Sequence, residues 1–302
     1  MTAAQADTAR ESGLEALLRR SESARGLALL SPTMAIMFAA LAAPLVLLAL
    51  YSFWTQKGLD VDTSFTLHQY TSAFGRASFR ALFYRSLWIS SIVTVVTVLL
   101  AYPMAYFVAF QVERSKFIWL ILLTIPFWTS YLLRVFAWKV ILGYNGVVNS
   151  GLMRLGLIHE PLQFLLYNPT AVVVTLAHAW AAFAILPIYV SLEKIDRSLL
   201  EAAADLGDGA IRRFFRITLP LSLPGVLGAA VLIFVPTTGD YVTPSLVGGS
   251  KGVMIANIIE MMFDKIGNWP LGAALAMASM AMVGLITLSA VQAIRLAVGR
   301  IK

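Results

Sequence analysis

Long uncharged, apolar runs alternate with polar segments along the chain. A helix needs about 20 mostly apolar residues to cross the hydrocarbon core of a bilayer. The pattern therefore predicts six transmembrane helices, over residues 32–54, 86–112, 117–142, 170–192, 221–239 and 271–294. The third run is continuous only if Arg134 is tolerated within it. We expect an all-α membrane protein, with a polar tail over residues 1–27 and a membrane domain over residues 28–302.

The polar tail precedes the first apolar run and carries charges of both signs. Leu14, Leu17 and Leu18 share one helical face, so the tail is either a short helix on the membrane surface or a loosely ordered segment. The run over residues 32–54 is too long for the core of a signal peptide and follows an unusually long leader. We interpret it as a retained first transmembrane helix.

Composition narrows the class of protein. Of 302 residues, 59% are hydrophobic and 13% are charged, and the mean hydropathy is +0.79. The absence of cysteine excludes disulfides, thiol catalysis and cysteine metal sites. The sequence also lacks a Walker A motif, so an ATP-driven mechanism requires another chain to bind the nucleotide.

The net charge of +7 is explained by orientation in the membrane rather than by nucleic-acid binding, because Lys and Arg are concentrated on the cytoplasmic side. With the N-terminus in the cytoplasm, fourteen Lys and Arg residues lie inside, eight lie outside, and Arg134 lies within a span. Six spans then place both termini, and the polar segment over residues 193–220, in the cytoplasm.

Five prolines fall inside the predicted spans, at positions 44, 103, 126, 187 and 236. Proline removes a backbone donor and can kink its helix. Broken helices at membrane depth are tolerated where they line a cavity. The prolines therefore indicate either a transport path or the ordinary use of proline in membrane helices.

The cytoplasmic segment over residues 193–220 has the signals of two short helices. Ser198 and Glu201 have the spacing of a capping box. Gly207 is expected to end this first helix, and Asp208 to cap a second helix that carries three arginines. We predict a pair of short helices with a tight corner at the membrane surface.

The same segment resembles the EAA loop of the permease subunits of bacterial ABC importers. The resemblance is carried by Glu201, Ala202, Ala203, Gly207, Ile217, Leu219 and Pro220. It implies a type I ABC importer permease fold, in which these coupling helices dock on a separate ATPase subunit that binds ATP and Mg²⁺. This chain is then expected to bind no cofactor and to catalyse no reaction. It departs from the family pattern at Asp208 and Gly209, where the family carries small residues such as alanine, serine or threonine.

Four further stretches resemble the permeases of spermidine/putrescine importers: residues 126–138, 146–149, 239–244 and 268–272. Together with the loop, the likeness covers roughly residues 65–290. It implies a protein of the bacterial inner membrane that is one of two different permeases in a heterodimer. Its other partners are then two ATPase subunits and a periplasmic binding protein that delivers polyamine.

A polycation needs carboxylates and aromatic faces along its path, the latter for cation–π attraction. Asp240, beside Tyr241 at the outer end of the fifth span, is the best-placed acid, and its alternative role is a structural ion pair with Arg134. Trp128 and Tyr131 are either ligand-facing rings or packing residues and interfacial anchors. Arg134 repels a polycation, which is consistent with a gate, a pairing role or an anionic cargo.

Glu260 and Asp264 lie four residues apart on one helical face after the fifth span. They either attract cations at the outer mouth, contact the binding protein, or form an ordinary solvated face. The three histidines are too scattered to predict a metal site, and His178 is expected to be a packed, hydrogen-bonded residue of the fourth span.

The sequence therefore predicts the membrane permease subunit of an ATP-driven importer, with polyamine as the leading cargo. The alternative cargo is another small solute, such as an opine, an amino acid derivative or an iron complex. A self-sufficient ion-coupled transporter is the alternative from another class, and it is disfavoured because Asp240 is the one acid expected at membrane depth. A membrane enzyme is disfavoured because no catalytic cluster is visible in the sequence.

Overall fold

A computed structural model describes residues 22–58 and 60–299 of the chain. Contacts between residues divide the chain into two units, Met1–Tyr51 and Ser52–Lys302. The described residues of the first unit form one helix, α1 (Glu22–Tyr51). Most of the predicted tail, residues 1–21, lies outside the described residues.

Helices make up most of the described part of the second unit. In chain order they are α2 (His68–Gly75), α3 (Ala77–Tyr106), α4 (Lys116–Thr124), α5 (Tyr131–Ile141), α6 (Val147–Arg154), α7 (Pro169–Glu193), α8 (Arg197–Asp205), α9 (Ala210–Arg213), α10 (Leu219–Thr238), α11 (Gly249–Gly252), α12 (Ile255–Asp264) and α13 (Trp269–Gly299). Single π-helical turns lie at Phe107–Gln111, Phe214–Thr218 and Pro244–Gly248, and 3-10 turns at Ile125–Trp128 and Gln163–Leu165.

One small element departs from the all-α prediction. An antiparallel hairpin joins β1 (Thr55–Lys57) to β2 (Asp60–Asp62). Each strand has three mainly polar residues, and a run this short gives no readable hydrophobic period.

Five segments of the described chain are long and apolar enough to cross a membrane: Leu29–Tyr51, Ala77–Gln111, Pro169–Glu193, Ala210–Thr238 and Trp269–Gln292. Five of the six predicted spans fall on these segments. Four of the five predicted kink sites, Pro44, Pro103, Pro187 and Pro236, lie inside helices that continue past them.

The third predicted span, residues 117–142, is broken next to the predicted kink site at Pro126. Two halves, Lys116–Trp128 and Tyr131–Ile141, meet at 84°. Pro126 lies in the 3-10 turn at the end of the first half, where its missing N–H and its ring disfavour a continuous α-helix. A second bent pair, Pro244–Gly252 and Ile255–Asp264, meets at 112°. It was not predicted, because both of its halves are short.

The main core of the second unit lies where α3, α7 and α10 pack together. Its fully buried side chains include Ile89, Val93, Leu176, Ile188, Leu192 and Ile233. The close approach of α7 and α10 requires glycine at position 225, because a Cβ there would overlap the Pro187 carbonyl oxygen and the Ser191 side chain. Small residues at such crossings let membrane helices come into backbone contact. A second core joins α2, α12 and α13 to the start of α3.

Candidate functional site

The predicted coupling segment begins with a helix cap that differs from the predicted one. The Asp196 side chain accepts a hydrogen bond from the Ser198 backbone N–H at 3.0 Å, so Asp196 is the N-cap of α8. The capping box predicted for Ser198 and Glu201 is therefore wrong, because Ser198 already lies inside the helix. The bond from Ser198 also lowers the pKa of the Asp196 carboxyl below its ordinary value.

Gly207 ends α8, as predicted. Its φ of +85° lies in the left-handed region that glycine adopts without steric cost. The Gly207 N–H donates to the Ala204 carbonyl and the Asp208 N–H to the Ala203 carbonyl, both at 2.9 Å. This pair of bonds is a Schellman motif, which satisfies the last carbonyls of the helix and turns the chain sharply.

Asp208 fixes the corner by a different contact from the one predicted. Gly209, not Asp208, occupies the N-cap of α9. The Asp208 carboxylate is 8% exposed and accepts from Arg212 at 3.4 Å and from Arg216 at 3.2 Å. The Arg213 guanidinium donates to the Leu200 carbonyl at 3.3 Å, which ties α9 back to α8.

The other residues of the predicted coupling set are spread over this segment. Glu201 and Ala202 are exposed and Ala203 is buried on α8, Ile217 lies in the π turn, and Leu219 and Pro220 begin α10. The π turn joins α9 to α10, so that Ala210–Thr238 is one helical segment. α9 is therefore continuous with α10, which packs in the main core.

Large apolar side chains are exposed at the corner between α8 and α9. Leu206 is 87% exposed and Ile211 is 77% exposed. Exposed apolar surface beside charged groups is typical of protein–protein contact sites. The corner thus combines a rigid frame with an apolar surface.

A cavity of about 410 Å³, here called the aromatic cavity, lies at the break between α4 and α5. It is lined by Phe127, Thr129, Tyr131, Arg134, Ala179, Trp180, Phe183, Pro236 and Asp240. These residues come from both sides of the break, from α7 and from the end of α10. The cavity therefore combines one acid, one base and four aromatic rings.

Asp240 is bonded within the protein rather than to Arg134. The Tyr131 hydroxyl donates to Asp240 Oδ2 at 2.6 Å. The backbone N–H groups of Val242 and Thr243 approach Asp240 Oδ1 at 2.9 and 3.5 Å. No salt bridge joins Asp240 to Arg134, although both line the same cavity. The alternative of a direct ion pair between them is thus wrong for this conformation.

Arg134 stabilises the break between α4 and α5 by hydrogen bonds to backbone carbonyl groups. Its Nη1 donates to the carbonyl oxygens of Pro126 at 2.7 Å and Thr129 at 3.2 Å. Its guanidinium also lies 4.7 Å from the centre of the Phe127 ring, a cation–π contact. A broken helix leaves carbonyls without helical partners, and Arg134 satisfies two such groups here.

The residues predicted to line the substrate path lie in three separate cavities or grooves. Tyr131, Arg134 and Asp240 line the aromatic cavity, whereas Trp128 is 83% exposed and lines a separate apolar groove. Tyr241 lines the larger cavity described below. Two further residues of the aromatic cavity, Trp180 and Phe183, were not predicted. They stand three residues apart on α7 and therefore share one face, so an aromatic pair at helical spacing is the sequence signal for them.

A larger cavity of about 700 Å³, here called the apolar cavity, lies between the end of α10, α12 and α13. Its polar lining includes Tyr241, Glu260, Ser279 and Thr287. Asp264, the other predicted outer-mouth residue, is exposed and does not line the cavity. The structure therefore separates Glu260 from Asp264.

His178 is exposed on α7 and packs edge-to-face against Trp138, with ring centres 5.4 Å apart. The structure gives it no hydrogen bond to a described residue, so the predicted hydrogen-bonded role is wrong. Among the described residues, no group of three His, Cys, Asp or Glu side chains is placed to hold a metal ion.

Comparison with known proteins places the chain in a family. A family model described as "Binding-protein-dependent transport system inner membrane component" matches residues 24–295. The chain is 36% identical over 238 residues to the spermidine/putrescine transport system permease protein PotB of Escherichia coli K12, covering 78% of this chain and 86% of that one. It is 31% identical over 240 residues to the inner membrane ABC transporter permease protein YdcU of the same organism, covering 75% of each.

A solved structure supports the fold. A chain of a bacterial ABC transporter involved in the import of the acidic polysaccharide alginate superposes with a TM-score of 0.67, at 17% identity, covering 89% of this chain and 94% of that one. Permeases of this class work with a separate ATPase chain and a periplasmic binding protein. The matched family, the relatives and the fold together show that the chain belongs to the binding-protein-dependent inner-membrane permeases and is a multi-pass transport subunit of an ABC importer.

Proposed function

We propose that this permease imports a polyamine such as spermidine or putrescine. The observation that carries the proposal is the aromatic cavity, in which Asp240 lies among the rings of Phe127, Tyr131, Trp180 and Phe183. A carboxylate gives the cavity a negative field, and aromatic faces attract ammonium groups. Arg134 is engaged by two carbonyls and by Phe127. The relative that is 36% identical is a spermidine/putrescine transport system permease protein, which supports the same cargo.

The coupling segment is the proposed contact with the ATPase. Glu201, Ala202, Ala203 and Gly207 form the first coupling helix and its end, and Ile217, Leu219 and Pro220 carry the movement into α10. The Schellman corner and the Asp208 contacts make the segment rigid, and rigidity is what a force-transmitting element needs. Leu206 and Ile211 supply exposed apolar surface for the contact.

The proposed assembly contains this chain, a second and different permease, and a pair of ATPase subunits that bind ATP and Mg²⁺. Both termini and the coupling segment lie in the cytoplasm, since the Lys and Arg residues favour that orientation. This chain supplies half of the path and no cofactor site.

A second candidate cargo carries a carboxylate, as an opine or an amino acid derivative does. Arg134 lines the aromatic cavity, and its Nε is buried without a hydrogen-bond partner. Guanidinium groups bind carboxylates through paired N–H donors. A carboxylate-bearing cargo would use this donor, whereas a polyamine would not.

Purification followed by uptake measurements tests both parts of the proposal. The chain is purified from its native membrane, and a second permease and an ATPase are expected to co-purify. The complex is then reconstituted in vesicles with its binding protein, and uptake of spermidine, putrescine and an opine is measured. Spermidine or putrescine uptake supports the polyamine proposal, and uptake of the opine alone overturns it. Asp240→Asn is expected to weaken polyamine uptake while leaving the complex assembled.

A further inference from the structure

The apolar cavity is large enough to hold part of a small molecule. Its volume of about 700 Å³ lies in the range of about 300–1,000 Å³ that is usual for small-ligand sites. Its walls are mainly aliphatic, with Val235, Ile255, Ile259 and Val283 among the lining residues. Such walls favour a methylene chain over a sugar or another strongly hydrated solute.

Glu260 is the acid of this cavity, and its carboxylate is free. Among the described residues it has no salt bridge and no hydrogen bond. Asp240, by contrast, receives the Tyr131 hydroxyl and two backbone N–H groups. Of these two acids, Glu260 therefore has the unused acceptor capacity. An unpaired carboxylate beside apolar surface favours a partner of opposite charge.

Two hydroxyls at the same cavity are also unused. Ser279 Oγ and Thr287 Oγ1 are buried and have no hydrogen-bond partner, and both residues line the cavity. Helical Ser and Thr commonly bond the carbonyl four residues back, as Thr94 and Thr97 do in α3. Both hydroxyls therefore keep unused acceptor capacity close to the cavity.

Tyr241 lies next to the residue that lines the other cavity. Asp240 lines the aromatic cavity and Tyr241 the apolar cavity, so consecutive residues border the two spaces. The half-exposed ring of Tyr241 provides an aromatic face for a cation held at Glu260. The chain at residues 240–241 therefore borders both the cavity of the bonded acid, Asp240, and the cavity of the free acid, Glu260.

We infer that the apolar cavity is a binding site for an alkylammonium chain, in which Glu260 holds the ammonium group, the Tyr241 ring lies beside it and the methylenes lie along the aliphatic wall. The inference rests on the proposed function, since a polyamine supplies such a chain. In this arrangement Glu260 contacts the ammonium group of the cargo directly. Asp240 instead contributes a negative electrostatic potential in the neighbouring aromatic cavity.

Transport kinetics of the reconstituted complex test this site. Glu260→Gln is expected to raise the KM for spermidine about tenfold, because a charge-assisted hydrogen bond is lost, and to change kcat less. Glu260→Asp keeps the charge and should restore part of the affinity. Glu160→Gln, which removes an exposed negative charge from a loop, is the control and should leave KM unchanged. An unchanged KM in Glu260→Gln would overturn the site.

Asp264→Asn separates contact from long-range attraction, because Asp264 lies four residues further along and outside the cavity. We expect a clearly smaller rise in KM than for Glu260→Gln, and equal effects would overturn direct contact.

Direct binding of hexylammonium to the purified complex, measured by calorimetry, tests the site without polyamine transport. Binding by the wild type but not by Glu260→Gln supports it even if spermidine is not the cargo, and equal binding by both refutes it. If Glu260→Gln fails to assemble, Tyr241→Leu provides the same comparison, with a weaker expected effect of about threefold.

Discussion

The Tyr131 hydroxyl donates to Asp240 Oδ2 at 2.6 Å and joins residues that are 109 positions apart in the chain. Thr243 Oγ1 lies at 2.6 Å from the same hydroxyl. The contact ties the start of α5 to the segment that follows α10. It holds the charge of Asp240 inside the protein, at the boundary of the aromatic cavity.

Replacing Tyr131 by phenylalanine removes only this hydroxyl. We expect Tyr131→Phe to lower the free energy of unfolding by about 2 kcal/mol, because a hydrogen bond to a charged group is lost and Asp240 keeps an unpaired oxygen. Thermal unfolding in detergent measures the change. Tyr144→Phe is the control, since Tyr144 is exposed and has no side-chain hydrogen bond to a described residue. Equal melting temperatures for the two variants would contradict the structural role of Tyr131.

Arg134 is expected to stabilise the break between α4 and α5 through its hydrogen bonds more than through its charge. Arg134→Met leaves the carbonyls of Pro126 and Thr129 without their donor, and each such group costs about 1–3 kcal/mol when it is buried. We expect a lower melting temperature and faster proteolysis between residues 125 and 131. Lys139→Met on the same helix, which loses a helix-end charge worth less than about 1 kcal/mol, provides the comparison. If both variants behave alike, Arg134 does not hold the break.

Gly207 and Gly209 form a matched pair in the coupling segment. An added Cβ meets nothing within 4 Å at either position, but φ is +85° at Gly207 and −66° at Gly209. Gly207→Ala therefore strains the corner by about 1–2 kcal/mol, and Gly209→Ala does not. We expect Gly207→Ala to reduce substrate-stimulated ATP hydrolysis by the assembled complex, with Gly209→Ala close to wild type. Full stimulation in Gly207→Ala would argue against coupling through this corner.

Asp208 is expected to act through its two arginines. Asp208→Ala frees both guanidinium groups and should weaken stimulation of the ATPase. The arginine side chains are 72% exposed, so Arg212→Ala and Arg216→Ala should each cost less than about 1 kcal/mol. The effect of Asp208→Ala should shrink when it is measured in the Arg212→Ala/Arg216→Ala background, because the partners of Asp208 are already absent. Asp205→Ala, an exposed acid at the end of α8, serves as the control, and an equal loss in that variant would remove the special role of Asp208.

The cap at Asp196 predicts an acid-sensitive α8. Because the pKa of Asp196 is lowered in the folded protein, its stabilising contribution is complete above the ordinary carboxyl value near 3.8 and is lost as the pH falls through the lower folded value. Asn caps helices as well as Asp does but does not titrate. Asp196→Asn should therefore show a weaker loss of melting temperature below pH 4 than the wild type, while Asp196→Ala is destabilised at neutral pH as well. Identical pH profiles for wild type and Asp196→Asn would contradict this role.

Features that depend on neighbouring residues could be predicted from the sequence. The apolar runs gave helices at five of the six expected positions, because membrane crossing depends on length and composition within one segment. Gly207 was identified as a helix end for the same reason, since its backbone conformation is a local requirement. The family resemblance was also local: it depended on the spacing of residues from Glu201 to Pro220.

Errors arose where another residue competed for the same role. Asp196 caps α8 in place of Ser198, and Gly209 caps α9 while Asp208 pairs with Arg212 and Arg216. In the third span, the hydrophobic pattern continued past Pro126, but it carried no information on which donors would satisfy the carbonyls of a break. Arg134 supplies them, and the chain can bend there at low cost.

By itself, the sequence determined a helical membrane permease and predicted where its coupling segment lies. The tertiary structure alone decided the state of the acids: Asp240 is bonded by Tyr131, whereas Glu260 faces the apolar cavity without a partner in the described chain. The physical reason is that a carboxylate's availability depends on the donors packed around it. Those donors come from helices that are distant in the chain and meet only when α5, α10, α12 and α13 are packed.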